Sequence, residues 1–571
     1  MNETERVCDV LVLGSGVAGL SAALTAACNG LDVIVCERAD HFGGTSALSG
    51  GEVWIPLSRQ AGANPTDSLD TALDYLKAII GGELNLPRAE AYLMNAPKAL
   101  AFIEDHSYVK YDLMTSVVDY FSEEPTSRLG LRSLGVNPFD GRRLGEQFHR
   151  LRPPLLTLQL IGGMSVGRED LPHVLGAATS WLSALHFAKM VGRYLRDRFS
   201  GYSRGTRLVM GNALIAGLLA TLFERKVPIW LGACAIELLK TDGRVTGALM
   251  SVKNEQVKVQ ARLGVVLASG GFSGGNKFRA RYFPHVARGK THRSHLPPTN
   301  DGTGLELAVA CGAALDETPS QPGAWTPVSE VPMGDGKYEL FPHFGDRAKP
   351  GVIAVNSAGR RFVNEAVSYH QFVPAMINAS AENPNSAAFL VTSHRYLRQY
   401  GLGRVAPSPA LIGSHIKSGY LKQASSIERL AAVLEMPSGV LEHTVAKYDA
   451  AAATGLDPDF GKGSTAYQRA AGDPEQASNP CVAPLGDGPY YAIRILPGDI
   501  GTTVGLSVDA RSRVLDREGL PITGLYAAGN AATSVMGGYY VGAGIMLGQA
   551  MTFAYIAVQD IIQSRSDAKT D

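Results

Sequence analysis

At 571 residues the chain is too long for one hydrophobic core, so it implies two or more domains or one large α/β body. Its 53 Lys plus Arg balance 53 Asp plus Glu, which leaves no net field to draw nucleic acid or an acidic membrane, and 45% hydrophobic with 19% charged residues is an ordinary globular composition. The six cysteines are scattered without the CxxC spacing of zinc or redox sites, so neither a metal centre nor disulfides are expected.

The segment Met1 to Arg6 is acidic and the apolar run after it is broken by glycines, which argues against a signal peptide; no stretch approaches the roughly 18–20 uninterrupted apolar residues of a membrane span. The cytoplasm is the expected compartment. Asp9 to Leu13 reads as a strand, followed by Gly14-Ser15-Gly16-Val17-Ala18-Gly19, a helical stretch Leu20 to Asn29, and a second strand, Asp32 to Cys36, that ends on Glu37. This is the dinucleotide fingerprint in its strand, glycine, helix, strand and acid context. It gives Gly14, Gly16, Ala18 and Gly19 the tight turn, the pyrophosphate approach and the helix packing, and Glu37 the ribose hydroxyls, with Arg38 also expected at the cofactor. An acid there repels a 2′-phosphate, so FAD or NAD is favoured over NADP.

His41 to Pro56 is a glycine- and hydroxyl-rich run too long for an ordinary loop, with Gly43, Gly44, Thr45, Ser46, Ser49, Gly50 and Gly51. It resembles the segment beneath the flavin in FAD enzymes of the fumarate reductase and 3-ketosteroid dehydrogenase superfamily. The resemblance implies FAD, and with no histidine between Phe42 and Pro56 it implies noncovalent binding.

Thr66 to Asp112 has helical spacing, and Asp119 to Pro125, with Tyr120, leaves it for a loop. Ala177 to Arg198 reads as a core-facing helix with snorkelling Lys189 and Arg193, in preference to weak peripheral membrane docking. A helix from Met210, a strand Val227 to Leu231, a hairpin turning at Asp242-Gly243, and a strand Val265 to Ala268 follow. In the superfamily this order sets Ala235 beside the adenine and Ala268, Ser269 and Gly270 beside the pyrophosphate, with Asp301 in a TGDG-like turn into a helix. The strand Val352 to Asn356 and the run Arg361-Phe362-Val363-Asn364-Glu365 belong to a second domain; residues 377 to 480 alternate helix and loop without evident chemistry. From Pro489 the chain is expected to return to the first domain, Gly529 and Asn530 meeting the ribityl-pyrophosphate. The expected fold is α/β: a discontinuous Rossmann-like FAD-binding domain, 1–300 and 488–571, enclosing an α+β catalytic domain, 301–487.

The run Met536 to Gly548 carries a glycine every second or third position before the apolar helix Gln549 to Val558. Such spacing lets backbone amides approach a bound molecule as donors, and one phenol, Tyr540, stands among them. Fumarate reductases carry an arginine where this chain has Tyr369, and another where it reads Met536 to Gly544, so a dicarboxylate is a poor candidate. The pattern instead resembles 3-ketosteroid Δ1-dehydrogenase: a tyrosine after RFVNE, a YxGxG segment after GLYAAGN, an AMTFxYxA helix, and an early tyrosine before an acidic-proline loop. It departs at Val541 and Ala543, where prolines are common, and in extra length between Tyr120 and Tyr369.

Carried over, the resemblance implies Tyr540 and the Gly544 amide as donors to a ketone oxygen, with Ile545 against the cofactor, and Tyr369 as base assisted by Tyr120. It implies a cyclic ketone substrate, foremost a 3-ketosteroid desaturated at C1–C2 as in steroid and lipid degradation, and a quinone or other carrier as electron acceptor. Alternatives are Δ4-desaturation of a 5-reduced ketosteroid, a smaller cyclohexanone, and an enoate or fumarate-type reductase or noncatalytic flavin subunit. His370 is a competing base, Tyr539 should point away from Tyr540, and Trp54, Trp325 and Phe121 either line a pocket or pack.

Overall fold

A computed structural model describes residues 4–160, 162–178, 180–380, 387–407, 409–476 and 478–567; Met1 to Glu3 and Thr179 therefore fall outside it. The strand Thr4–Leu13 pairs in parallel with Val33–Glu37 on one side and with Glu255–Leu267 on the other, and Ile229–Leu231 extends the parallel edge. The long strand Glu255–Leu267 changes partners along its length. Its first half takes the antiparallel hairpin Arg244–Val252 and Ala233–Thr241, and its last three residues take Pro521–Ala527 in parallel. The hairpin turns at Asp242 and Gly243, both in left-handed backbone, as the Asp-Gly pair dictates.

The helix Val17–Cys28 is apolar all round and buries ten of its twelve residues, so it packs beneath the sheet against the last helix, Ile545–Asp567. That last helix holds one stretch, Ile545–Ser566, long and apolar enough by length and composition to cross a membrane, which the sequence reading did not flag. It is 78% buried within the protein and is a core helix.

A second sheet runs in the order Lys337–Pro342, Gly323–Gly334, Tyr490–Thr502, Ala388–Ser393, Val352–Asn356, with Arg293–Ser294 and Lys422–Ala424 also on the central Tyr490–Thr502. The strand expected to begin the return at Pro489 is thus the spine of the second sheet, which keeps the chain through Thr502. Chain order alone cannot reveal this, because the strand's apolar pattern suits either sheet.

The expected helical run 66–112 breaks at Gly81, φ 57°, into Leu69–Ile80 and Leu86–His106. The helix Trp181–Phe199 buries Met190 and Tyr194, but Trp181, Leu182, Leu185, Leu195 and Phe199 are exposed, so the core-facing expectation holds for only part of its apolar surface.

The loop carrying Tyr120 is anchored by a buried ion network. Arg132 grips Asp67 through two nitrogens at 2.6 and 3.0 Å and donates to Asp119 at 2.9 Å, while Trp54 Nε1 donates to the other Asp119 oxygen at 2.8 Å. Burial pushes the Asp119 carboxyl up to about 6 against the pull of Arg132. Arg132→Leu leaves buried Asp119 without its cation and Asp67 with only Arg128, Nε 3.9 Å away, and is expected to lower unfolding stability by about 3–5 kcal/mol. Urea denaturation of the flavin-loaded protein measures it; a loss below about 1 kcal/mol would mean the network is not holding the loop.

Candidate active site

Between the two sheets lies a cavity of about 1150 Å³. One end of it is the fingerprint loop. Gly14, Gly16 and Ala18 line it, with Arg38, Gly44, Thr45, Ser46, Ser49, Gly50 and Gly51 from the next loop. Ala235, Ala268, Ser269, Gly270, Asp301, Gly529 and Asn530 complete this part of the wall.

Three of the residues expected at the cofactor do not line the cavity. Gly19 faces the chain itself: a Cβ there would run into the Gly14 carbonyl, so its role is helix-to-turn packing. Gly43 packs on Ala47 and Ile215, and Ile545 is buried in the core while its neighbours Met546 and Leu547 face the cavity. Glu37 does line it, but its carboxylate also accepts from Ser15 N and Oγ at 3.0 and 2.7 Å and from Ala39 N at 2.9 Å, which ties the first loop to the strand end.

The wall fits a flavin dinucleotide. Ser269 Oγ and Asn300 Oδ1 are buried polar atoms with no partner in the protein, and both line the cavity where a phosphate and ribityl chain would pass. Gly44, at φ 49°, has open space on its Cβ side.

At the other end three phenols meet. Tyr120 and Tyr369 hydroxyls are 2.9 Å apart. The Tyr540 ring stacks on Tyr120 at 5.7 Å and meets Tyr369 edge-on at 5.4 Å. All three line the cavity and are nine-tenths buried or more. Local structure puts each there. Ser368 caps the helix Tyr369–Ala379 through a capping box with Gln371, which makes Tyr369 the first helical residue. Tyr120 N donates to Val541 O at 3.0 Å, and the Tyr75 hydroxyl donates to the same carbonyl at 2.8 Å, tying the early loop to the glycine-rich run. Glu83 accepts from Gly538 N at 2.9 Å and fixes the start of that run.

Gly544 turns at φ 89° with its backbone against that of Glu52, where a Cβ would strike the Glu52 carbonyl group. Burial pushes Tyr540 up to about 12, opposed by hydrogen bonds from Tyr369 and the Gly544 amide; burial also holds Tyr369 and Tyr120 well above the ordinary phenol value.

The competing groups lie elsewhere. Trp325 N donates to His370 Nδ1 at 3.2 Å, and His370 Nε2 pairs with Gly538 O at 2.9 Å, so the ring braces the glycine-rich run; burial lowers its pKa to about 4. Trp54, Trp325 and Phe121 pack outside the cavity. Tyr539 faces Phe121 and does not line it. Tyr539→Phe is therefore expected to leave the rate of flavin reduction by substrate within about two-fold; a ten-fold loss in a stopped-flow assay would show that the two neighbouring tyrosines have been given the wrong roles.

Four residues escaped the sequence reading. Tyr467 packs on Tyr120 at 4.7 Å. Phe344 lines the cavity and meets Tyr369 edge-on at 5.0 Å. Arg347, 1% exposed, spends its guanidinium on the carbonyls of His343, Phe344, Glu365 and Val367, so a cation sits behind Tyr369 without entering the cavity. Glu52 lines the cavity and pairs with Arg168 at 2.8 Å. The reacting centre thus has phenols and an amide at its face, with charge held behind it and to one side.

The family model "FAD binding domain" matches residues 9–547. The chain is 37% identical over 562 residues to 4-oxocyclohex-2-ene-1-carboxylate 5-dehydrogenase of Sinomonas cyclohexanicum, covering 98% of this chain and 94% of that one. It is 34% identical over 566 residues to 3-oxosteroid 1-dehydrogenase of Mycolicibacterium smegmatis, covering 97% of each. The crystal structure of 3-ketosteroid Δ1-dehydrogenase from Sterolibacterium denitrificans in complex with 1,4-androstadiene-3,17-dione superposes with a TM-score of 0.88 at 34% identity, covering 98% of this chain and all of that one.

Proposed function

Because the chain belongs to the FAD binding domain family, among the FAD-dependent oxidoreductases of the 3-oxosteroid 1-dehydrogenase type, we propose that it desaturates the α,β carbon bond of a cyclic ketone, foremost a 3-ketosteroid across C1–C2. The observation that carries this reading is the meeting of Tyr120, Tyr369, Tyr540 and the Gly544 amide on one cavity wall.

Each group has one task. The Tyr540 hydroxyl and Gly544 N–H donate to the ketone oxygen and stabilise the negative charge that grows there as the α proton leaves; such donors contribute a few kcal/mol each in a water-poor site. Tyr369 takes the α proton, and its 2.9 Å bond to Tyr120 gives that proton an onward path. Noncovalently bound FAD, held by the glycine-rich loops and the Ser269–Asn300 wall, supplies the hydride acceptor for the β carbon. A quinone or other electron carrier completes the turnover.

The Mycolicibacterium smegmatis relative and the Sterolibacterium denitrificans neighbour, in complex with 1,4-androstadiene-3,17-dione, support the steroid. A second reading, a monocyclic ring ketone bearing a carboxylate, is favoured by the ion pair of Glu52 and Arg168 in the same wall and by the Sinomonas cyclohexanicum relative. Anaerobic bleaching of the flavin tests both. Saturated 3-ketosteroids or 4-oxocyclohexane derivatives should bleach it and yield the conjugated enone, and a flavin that no saturated cyclic ketone bleaches would remove the dehydrogenase reading altogether.

A further inference from the structure

We propose that Arg168 and Glu52 form a carboxylate seat in the wall of the chamber that holds the phenols, taking the acid group of a monocyclic ring ketone. This rests on the second form of the dehydrogenation reading, the ring ketone bearing a carboxylate, and names the side chains that would select it.

The seat begins at the reacting centre. The backbone of Glu52 abuts Gly544, whose amide serves the ketone oxygen, and its side chain lines the same cavity as Tyr120 and Tyr540. The Glu52 side chain is about one-fifth exposed, and its ion-pair partner among the described residues is Arg168, Nη2 to Oε1 2.8 Å. Burial holds Glu52 above the ordinary carboxylate range against the pull of Arg168, and the phenols of Tyr120, Tyr467 and Tyr540 are the other ionisable groups that feel its charge.

The neighbouring rim cation is already engaged: Arg207 pairs with Asp170 at 2.6 Å and Glu169 at 3.0 Å. Arg168, with 60% of its side chain exposed, has a single carboxylate to exchange.

A hydrocarbon ring system gains nothing from an ion pair in its wall, because desolvating the pair costs more than contact with rings returns. A ring acid reverses that balance. Its carboxylate takes the Arg168 fork in place of Glu52. Glu52, already inclined to hold a proton, becomes the neutral neighbour that donates to it, as two close carboxylates share one proton.

The test titrates anaerobic flavin bleaching of the FAD-loaded protein with 4-oxocyclohexanecarboxylate, its methyl ester and a saturated 3-ketosteroid. In the parent protein the acid should half-saturate at lower concentration than the ester. Arg168→Gln should raise the acid-to-ester ratio of half-saturating concentrations roughly ten- to a hundred-fold, the worth of a charge-assisted hydrogen bond or two. Glu52→Gln, which removes the competing charge but keeps a donor, should lower that ratio. Equal changes for acid and ester in Arg168→Gln would overturn the seat, as would bleaching by steroid alone. Bleaching by none of the three defeats the dehydrogenation reading instead, and the seat with it.

Discussion

Tyr540→Phe is expected to slow anaerobic flavin reduction by a saturated cyclic ketone roughly 10²–10³-fold, the usual loss on removing one oxyanion donor. The FAD should stay bound. The substitution removes one hydroxyl from a ring that stacks on Tyr120 and is 5% exposed, so the packing around it persists. The Gly544 amide remains as the second donor, which is why the loss is bounded. Stopped-flow absorbance reads the rate, and the bound flavin spectrum reads retention. A loss below about five-fold with FAD retained would mean that the ketone oxygen sits elsewhere.

Tyr369→Phe is expected to cost roughly 10²–10⁴-fold in the same assay, as for loss of a positioned base. Burial holds this phenol well above its ordinary value, so it is protonated in the resting site at neutral pH. Arg347, buried behind it, is the charge that favours its ionised form. The sign follows directly: the reactive form is the phenolate, and below its pKa the phenolate fraction rises about ten-fold per pH unit. The bleaching rate should therefore climb from pH 7 to pH 9 with a slope near one in the logarithm. A flat profile would assign the proton to another group. Tyr369→Phe should flatten the slope as well as lower the rate, a pair of changes that a merely misplaced helix would not give.

Local chemistry decided what was readable from the residues alone. The fingerprint loop and the Ser269–Gly270 turn are short stretches whose own backbone must wrap a phosphate, so their glycines announce themselves. The phenols are a different case. Tyr120, Tyr369 and Tyr540 are hundreds of residues apart, and only the resemblance of their flanking runs joined them before the fold did. Tyr467 carries no motif; it reaches Tyr120 because the helix Ala466–Ala471 is tied to the Tyr120 loop, Ser122 Oγ accepting from Tyr467 N at 2.8 Å. Arg347 is invisible for the same reason, since its partners are carbonyls from two separate segments, 343–344 and 365–367. Glu52 sits in a glycine run that resembles phosphate contacts, and its pairing with Arg168 exists only once Gly167 to Glu169 reach the cavity wall. The strand Tyr490–Thr502 joins the second sheet, which its residues alone do not reveal, because an apolar strand does not name its neighbours.

The most direct measurement is a crystal structure of the FAD-loaded protein with a conjugated cyclic enone product. The ketone oxygen should lie within about 2.7–3.1 Å of both Tyr540 Oη and Gly544 N, with Tyr369 Oη over the α carbon. A product bound with its ketone turned toward Arg168, or held away from all three phenols, would contradict it.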